Sequence, residues 1–372
     1  MKVLYTATML SHICQFHLPY LQMLQERGDE VHVAAYDNLA VKNGLQLRYC
    51  DRYIPLPFAR SPKSPQNLKA YRMLKAHLAE EHYDVILCNT PMGGIVTRLA
   101  AKKSRRQGTR VIYMAHGFHF YKGASKKNWL AFYPIERYMA RYCDTLVTIN
   151  DEDYALAKEK FTRTGVVHIH GVGVRTERYY PVGEDEALAM RRAEGLAQDD
   201  LVILCTGELN ANKDQHTLIA AAAKLVNEFP KLRVLLAGNG PMEAQLRTEI
   251  GELGLEKNVK LLGYRTDLEK VVPCTDLIVS CSHREGLPLN IVEAMLCEKP
   301  VVAAVNRGHR ELVEDGVTGF LFAPGDADAL AEKLRLCFAD PDMLRTMGRA
   351  GAQKAQSYTV DAIKEEINHI MF

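Results

Sequence analysis

Two glutamates eight residues apart, Glu285 and Glu293, frame the segment Arg284-Glu285-Gly286-Leu287-Pro288-Leu289-Asn290-Ile291-Val292-Glu293-Ala294-Met295. The apolar run Leu277–Ser280 before it predicts a strand, and the spacing beyond Pro288 predicts a helix over Leu289–Leu296. Glu285 then lies in the connecting loop, and Glu293 about a turn and a half into the helix. A helix start offers unpaired N–H groups and the positive end of a dipole, which suits phosphate. One carboxylate can therefore accept from sugar hydroxyls in front of the helix. The second can grip a ribose, while the helix start holds a diphosphate between them. A bare pair of glutamates at this spacing is more often two solvated side chains. The full string in its strand–loop–helix setting carries the reading.

Other candidates also follow predicted strands. Lys213 stands in Gly207-Glu208-Leu209-Asn210-Ala211-Asn212-Lys213-Asp214, after the run Leu201–Thr206. An ammonium beside a diphosphate stabilises the charge of a leaving group. The plain alternative is a solvated lysine. Gly238-Asn239-Gly240-Pro241 and Gly263-Tyr264-Arg265 are turns after two further runs. Glycine there lets backbone approach a ligand, or simply makes the turn. His116 directly follows the run Arg110–Ala115, in His116-Gly117-Phe118-His119. A polar residue at the carboxyl end of a strand faces the ligand side of an α/β sheet, although an isolated histidine is more often structural. Thr90-Pro91-Met92-Gly93-Gly94 reads as another strand-end loop, and Ser11-His12 as the loop after the first strand, with His17 beyond.

These residues need a scaffold that collects strand ends. Apolar runs at Val3–Ala7, Glu30–Ala35, Asp84–Cys88, Arg110–Ala115, Thr145–Ile149 and Val166–Ile169 alternate with helical segments. A second series begins at Leu201–Thr206, after a Gly/Pro cluster over 170–184. Continuous apolar strands alternating with helices predict parallel sheets covered on both faces. The expected organisation is a Rossmann-like domain over 1–180, a second over 181–355, and a terminal helix over 356–372 that packs back on the first. Two such domains facing across a cleft suit a two-substrate reaction that excludes water.

With these motifs the chain resembles a retaining glycosyltransferase of family 4, with the two-domain α/β fold called GT-B. It is most similar to bacterial capsule, exopolysaccharide and surface-glycan transferases. The resemblance implies a UDP-sugar donor, a polyprenyl-diphosphate-linked glycan acceptor, and transfer of a hexosyl or N-acetylhexosaminyl unit. It makes Glu285 the sugar-side and Glu293 the ribose-side residue, with Gly286, Leu287, Pro288 and Leu289 between them. Lys213 and Gly207 match the phosphate loop, where the family's usual arginine is replaced by Glu208. Asn239, Gly240, Tyr264 and Arg265 frame the nucleobase, largely through backbone groups. His116 matches the active-site histidine, and His12, Thr90, Gly93 and His119 fall on the acceptor side. The nucleotide sugar is a substrate rather than a cofactor. No Asp-x-Asp stands in a plausible site, so no metal ligands are assigned and no essential metal is expected.

Composition narrows the classes. Apolar residues make up 47% and charged residues 25% of 372, as in an ordinary globular protein. The net charge of +2 averages unlike halves. Residues 1–180 hold 26 Lys+Arg against 15 Asp+Glu, and residues 181–372 hold 21 against 30. The first half is thus +11 and the second −9. Lys102, Lys103, Arg105, Arg106, Lys122, Lys126 and Lys127 lie near Trp129, Phe132 and Tyr133. Such a mixture suits an anionic membrane surface, or else a solvated charged face over a packed helix. No nucleic-acid motif accompanies it. Nine cysteines without a C-x-x-C pair read as free thiols in a reducing cytoplasm. The expected location is cytoplasmic, on the inner face of the membrane. A dinucleotide-dependent oxidoreductase would need Gly-x-Gly-x-x-Gly after the first strand, where Met9-Leu10-Ser11-His12 stands instead. An epimerase or hydrolase of the same fold remains open, as does a non-enzymatic scaffold.

Overall fold

A computed structural model describes residues 1–41 and 44–372. The chain forms two compact units, Met1–Gly173 with Val360–Phe372, and Val174–Thr359. In the first, β1 (Lys2–Met9), β2 (Glu30–Tyr36), β3 (Arg52–Pro55), β4 (Val85–Asn89), β5 (Arg110–Ala115), β6 (Thr145–Thr148) and β7 (Gly165–His168) make one sheet, in the order β3-β2-β1-β4-β5-β6-β7. In the second, β8 (Leu201–Thr206), β9 (Leu232–Ala237), β10 (Val259–Gly263), β11 (Leu277–Ser280), β12 (Val301–Ala304) and β13 (Gly319–Phe322) lie in the order β10-β9-β8-β11-β12-β13. All the pairings are parallel. Helices cover both faces, so β4 and β12 are buried along their whole length.

Each order reverses once, between β1 and β4 and between β8 and β11. At such a point the loops leaving neighbouring strands turn to opposite faces and open a crevice beyond the carboxyl ends. The sheet thereby brings loops far apart in sequence side by side.

The structure departs from the sequence reading at particular elements. There is no loop at Ser11-His12: β1 passes directly into a helix at Leu10–Phe16, and a second runs over Leu18–Glu26. The break falls at His17 because Pro19 has no N–H and its ring excludes the carbonyl four residues back. Thr90 follows β4, and Pro91–Gly94 form the first turn of the helix Pro91–Ala100 rather than a loop. The edge strand β3 is half-exposed and lacks the apolar run that marks its neighbours.

The units part at Gly173, seven residues before Tyr180. Val174 and Tyr179 bury against Tyr358 in the second core, and Val174 N donates to Tyr358 O at 2.9 Å. Residues 356–359 stay with that unit, while the helix Val360–Met371 returns to the first. There Glu366 bonds His170, Met371 Sδ lies 3.9 Å from Tyr5 OH, and the Arg27 guanidinium stacks 3.0 Å from the Phe372 ring centre. All nine cysteines are free, and eight are buried.

Gly238 shows how closely the second unit's strand-end loops approach. Its φ is +154°, and a Cβ there would lie 1.9 Å from Gly207 O. That obstacle is backbone and cannot swing aside. Gly238→Ala should cost about 2 kcal/mol or more of unfolding free energy, read by urea denaturation. Wild-type stability in the variant would contradict the close approach.

Candidate active site

In the second unit, β8 and β11 are adjacent, so the loops 207–214 and 281–288 leave the sheet together. His283 N donates to Asn212 O at 2.8 Å, and Asn212 Nδ2 to Arg284 O at 3.0 Å. The loops are stitched at two points. Asn210 Oδ1 accepts from the N–H groups of Asn212 and Lys213, which sets the lysine's direction. The Lys213 stem lies against Gly207, where a Cβ would meet Cε at 3.1 Å. Lys213 Nζ then reaches Glu285 Oε1 at 2.7 Å. Their side chains are only 22% and 15% exposed. The two cardinal residues of this site are each other's counter-ion.

Behind the pair, Arg307 Nε donates to Glu285 O at 3.1 Å, and Gly308 closes on Gly286 O and Pro288. Pro288 precedes the helix Leu289–Leu296, whose start has no side-chain cap. Leu287 and Leu289 pack on the core and form the floor of the loop. Glu293 lies in this helix beneath the loop. Burial raises its carboxyl to about 7, offset in part by Arg178 and a hydrogen bond from Tyr179.

The remaining donor-side residues divide. Asn239 is exposed, and its carbonyl accepts from Leu209 N at 2.9 Å. Gly240 presses on the Leu209 backbone. Tyr264 is 69% exposed. The Arg265 guanidinium is occupied by Glu194, at 2.7 and 3.0 Å, and by Asp267, so it ties the unit together and leaves the turn's backbone to meet a ligand. Glu208 accepts from Asn210 Nδ2. Lys299 does not replace the absent arginine: it neighbours Asp276 and Arg191 near the amino end of β11, where burial lowers its pKa.

In the first unit, His116 follows β5 and meets His12 from the helix after β1. Their Nε2 atoms are 3.2 Å apart. His17 Nε2 is 3.4 Å from His12 Nε2, and Asn89 Oδ1 is 3.1 Å from His116 Nε2. Burial lowers His116 to about 4 and holds His12 and His17 well below the usual histidine range. The imidazoles are therefore neutral at pH 7. Beside them Thr90 has φ +64°, a conformation that favours glycine. Its hydroxyl accepts from Thr8 N at 2.9 Å and lies 2.7 Å from Thr8 Oγ1, which in turn accepts from Gly93 N. Such strain persists where surrounding bonds over-determine it. His119 stacks on Phe132, ring centres 4.7 Å apart. Asn89, Arg307 and Tyr179 are the residues that sequence reasoning left off the site, and His17 was named without a role. Asn89 and Arg307 share a readable signal, a polar residue ending or closely following an apolar strand.

Two family models cover most of the chain: "Glycosyl transferase 4-like domain" over residues 19–173 and "Glycosyl transferases group 1" over 187–354. A Bacillus subtilis protein named "Putative glycosyltransferase EpsD" is 42% identical over 371 residues, spanning 99% of this chain and 96% of that one. The chain belongs to the group 1 glycosyltransferases. Its two parallel-sheet units are the Rossmann-like domains of the GT-B fold, and it transfers a sugar from a nucleotide sugar. An Escherichia coli relative, "UDP-Gal:alpha-D-GlcNAc-diphosphoundecaprenol alpha-1,3-galactosyltransferase", is 26% identical over 272 residues, covering 72% of this chain and 68% of that one. The crystal structure of Anabaena HepE in complex with UDP superposes with a TM-score of 0.83 at 25% identity, over 100% of this chain and 99% of that one.

Glu293 gives a pH test of this transferase's interior. Its folded pKa of about 7 lies above the ordinary 4.5. Between these values the folded state keeps a proton that the unfolded chain has lost, so stability falls as pH rises. Below that window the glutamate costs nothing, and above it the full penalty applies. Glu293→Gln should therefore raise Tm at pH 8 and lose that advantage towards pH 4. A difference independent of pH would contradict the burial.

Proposed function

We propose that this glycosyltransferase retains the anomeric configuration and moves a hexosyl or N-acetylhexosaminyl unit from a UDP-sugar to a polyprenyl-diphosphate-linked glycan, in polysaccharide synthesis at an anionic membrane face. The observation that carries the donor assignment is the Lys213–Glu285 pair at 2.7 Å beyond the reversal between β8 and β11. A UDP-sugar offers both partners a better match. Its diphosphate takes the Lys213 ammonium, and its sugar hydroxyls donate to the released Glu285 carboxylate. The uncapped start of the helix Leu289–Leu296 supplies N–H groups to the phosphates, and ionised Glu293 accepts from the ribose. The UDP complex of HepE supports uridine as the nucleotide. The printed activity of the Escherichia coli relative supports a lipid-linked acceptor.

Retention is what the resemblance to the retaining family 4 transferases implies. The cluster after β1, β4 and β5 consists of neutral imidazoles and an amide. Such groups bond sugar hydroxyls but make no covalent carboxylate intermediate. Attack on the face from which UDP departs, through an oxocarbenium-like state, lets the leaving phosphate take the acceptor's proton. Lys213 and the helix dipole stabilise the charge left on UDP. No residue is assigned to hold an essential metal.

The membrane reading rests on the helix Lys126–Ala140. Trp129, Tyr133, Glu136 and Ala140 recur at helical spacing on its inner face, and Trp129 packs on Phe120 and Tyr133. The tryptophan is thus partly buried against the first unit's core. Leu130, Ile135 and Tyr138 are exposed outside it, beside Lys126, Lys127 and Arg137. Lys102 lies 3.8 Å from the Tyr142 ring centre and joins its basic helix to this face. Among the described residues no helix is long and apolar enough to cross a membrane.

Two measurements test the proposal. Glu285→Ala should lower turnover well over tenfold, as expected for a group that binds the transition state. Near-normal turnover would defeat the assignment, and UDP release without an acceptor lipid would favour a hydrolase. The chain should also sediment with anionic liposomes at low salt, and replacing Lys126 and Lys127 by Glu should weaken this. Absence of sedimentation would remove the membrane reading.

A further inference from the structure

We propose that His12, His17 and His116 form a binding site for one transition-metal dication of the zinc class, through their Nε2 atoms, with the fourth position open to water. The geometry is the first ground. The Nε2 atoms of His12 and His116 are 3.2 Å apart, and those of His12 and His17 3.4 Å. Ligand atoms of all three residues lie within 4.8 Å of one another. A tetrahedral ion with Zn–N bonds of about 2.0–2.1 Å has nitrogens about 3.3 Å apart. Two edges of the tetrahedron are already present, and the third closes with a small ring movement.

Donor chemistry is the second ground. Without an ion His12 Nε2 accepts from one ring nitrogen, and His116 Nε2 donates to Asn89 Oδ1. A dication instead takes one lone pair from each ring, with each proton moved to Nδ1, and displaces the Asn89 contact. Neutral imidazole is the form that ligates. Neither thiolate nor carboxylate joins the set, and the Arg60 charge acts on His12. Both features make the site weaker than a structural zinc centre, in keeping with reversible occupancy. His12 and His17 sit in consecutive helices around the Pro19 break, while His116 is fixed after β5. Three backbone elements thus set the ligands independently.

His116 Nε2 cannot serve a metal and a sugar at once, so the ion would inhibit transfer. That consequence rests on the role proposed above for His116, whereas binding itself does not. Cobalt(II) added to the intact metal-free chain should give the intense visible bands of a four-coordinate ion, at one equivalent. His12→Gln and His17→Gln should each abolish them, and His119→Gln should keep them. Circular dichroism and the thermal shift caused by UDP report that each variant is folded. X-ray absorption of the zinc-loaded wild-type chain needs no variant, and should count three imidazole nitrogens. Absence of the bands in the wild type, their persistence in the His12 and His17 variants, or fewer than three imidazoles would overturn the site.

Discussion

A lysine and a glutamate 72 residues apart meet beyond the second sheet, and their pairing depends on the whole unit being folded. Parallel strands β8 and β11 are neighbours only because the strand order reverses there. Partly buried charges cost desolvation, and removing one partner leaves the other uncompensated. The pair is therefore tolerable in two states. Either the side chains neutralise each other, or a ligand supplies an anion to Lys213 and hydroxyl donors to Glu285. A diphospho-sugar meets both needs. The resting contact then holds both side chains in place for the donor while keeping its site polar.

The first unit applies the same topology to different chemistry. Its reversal lies between β1 and β4, and the side chains gathered near it are uncharged. Neutral imidazoles and an amide suit sugar hydroxyls, which need directional bonds rather than charge. The excess positive charge of residues 1–180 is a property of the whole unit, and Lys126, Lys127 and Arg137 are the part of it on the helix that exposes Leu130, Ile135 and Tyr138. In the acidic second unit, a lysine and one helix start must hold the diphosphate against the overall field. Net charge describes surfaces here, and local geometry describes sites.

Much of this was legible in the chain, for identifiable reasons. Apolar runs marked every strand except β3, whose Arg52-Tyr53-Ile54-Pro55 holds no such run. Residues following those runs, such as His116 and Lys213, pointed to the carboxyl ends. Strand order was not legible, because it is a property of pairings between distant segments. The Lys213–Glu285 contact was hidden for that reason. The side-chain partner of Arg265 was hidden in the same way, because Glu194 lies 71 residues earlier. His12 looked like a loop residue because a phosphate loop usually follows the first strand, whereas here the helix starts at once. Trp129 shares its helix face with Tyr133, Glu136 and Ala140, a spacing that matches the packed-helix alternative for that segment.

The central claim is that the Lys213–Glu285 contact holds the place of the donor. A crystal structure of the chain with an intact UDP-sugar tests it most directly. The account predicts that Lys213 Nζ leaves Glu285 Oε1 for a diphosphate oxygen, and that Glu285 accepts from a hydroxyl of the sugar. A bound donor with the 2.7 Å pair still closed, and neither side chain touching it, would contradict the account.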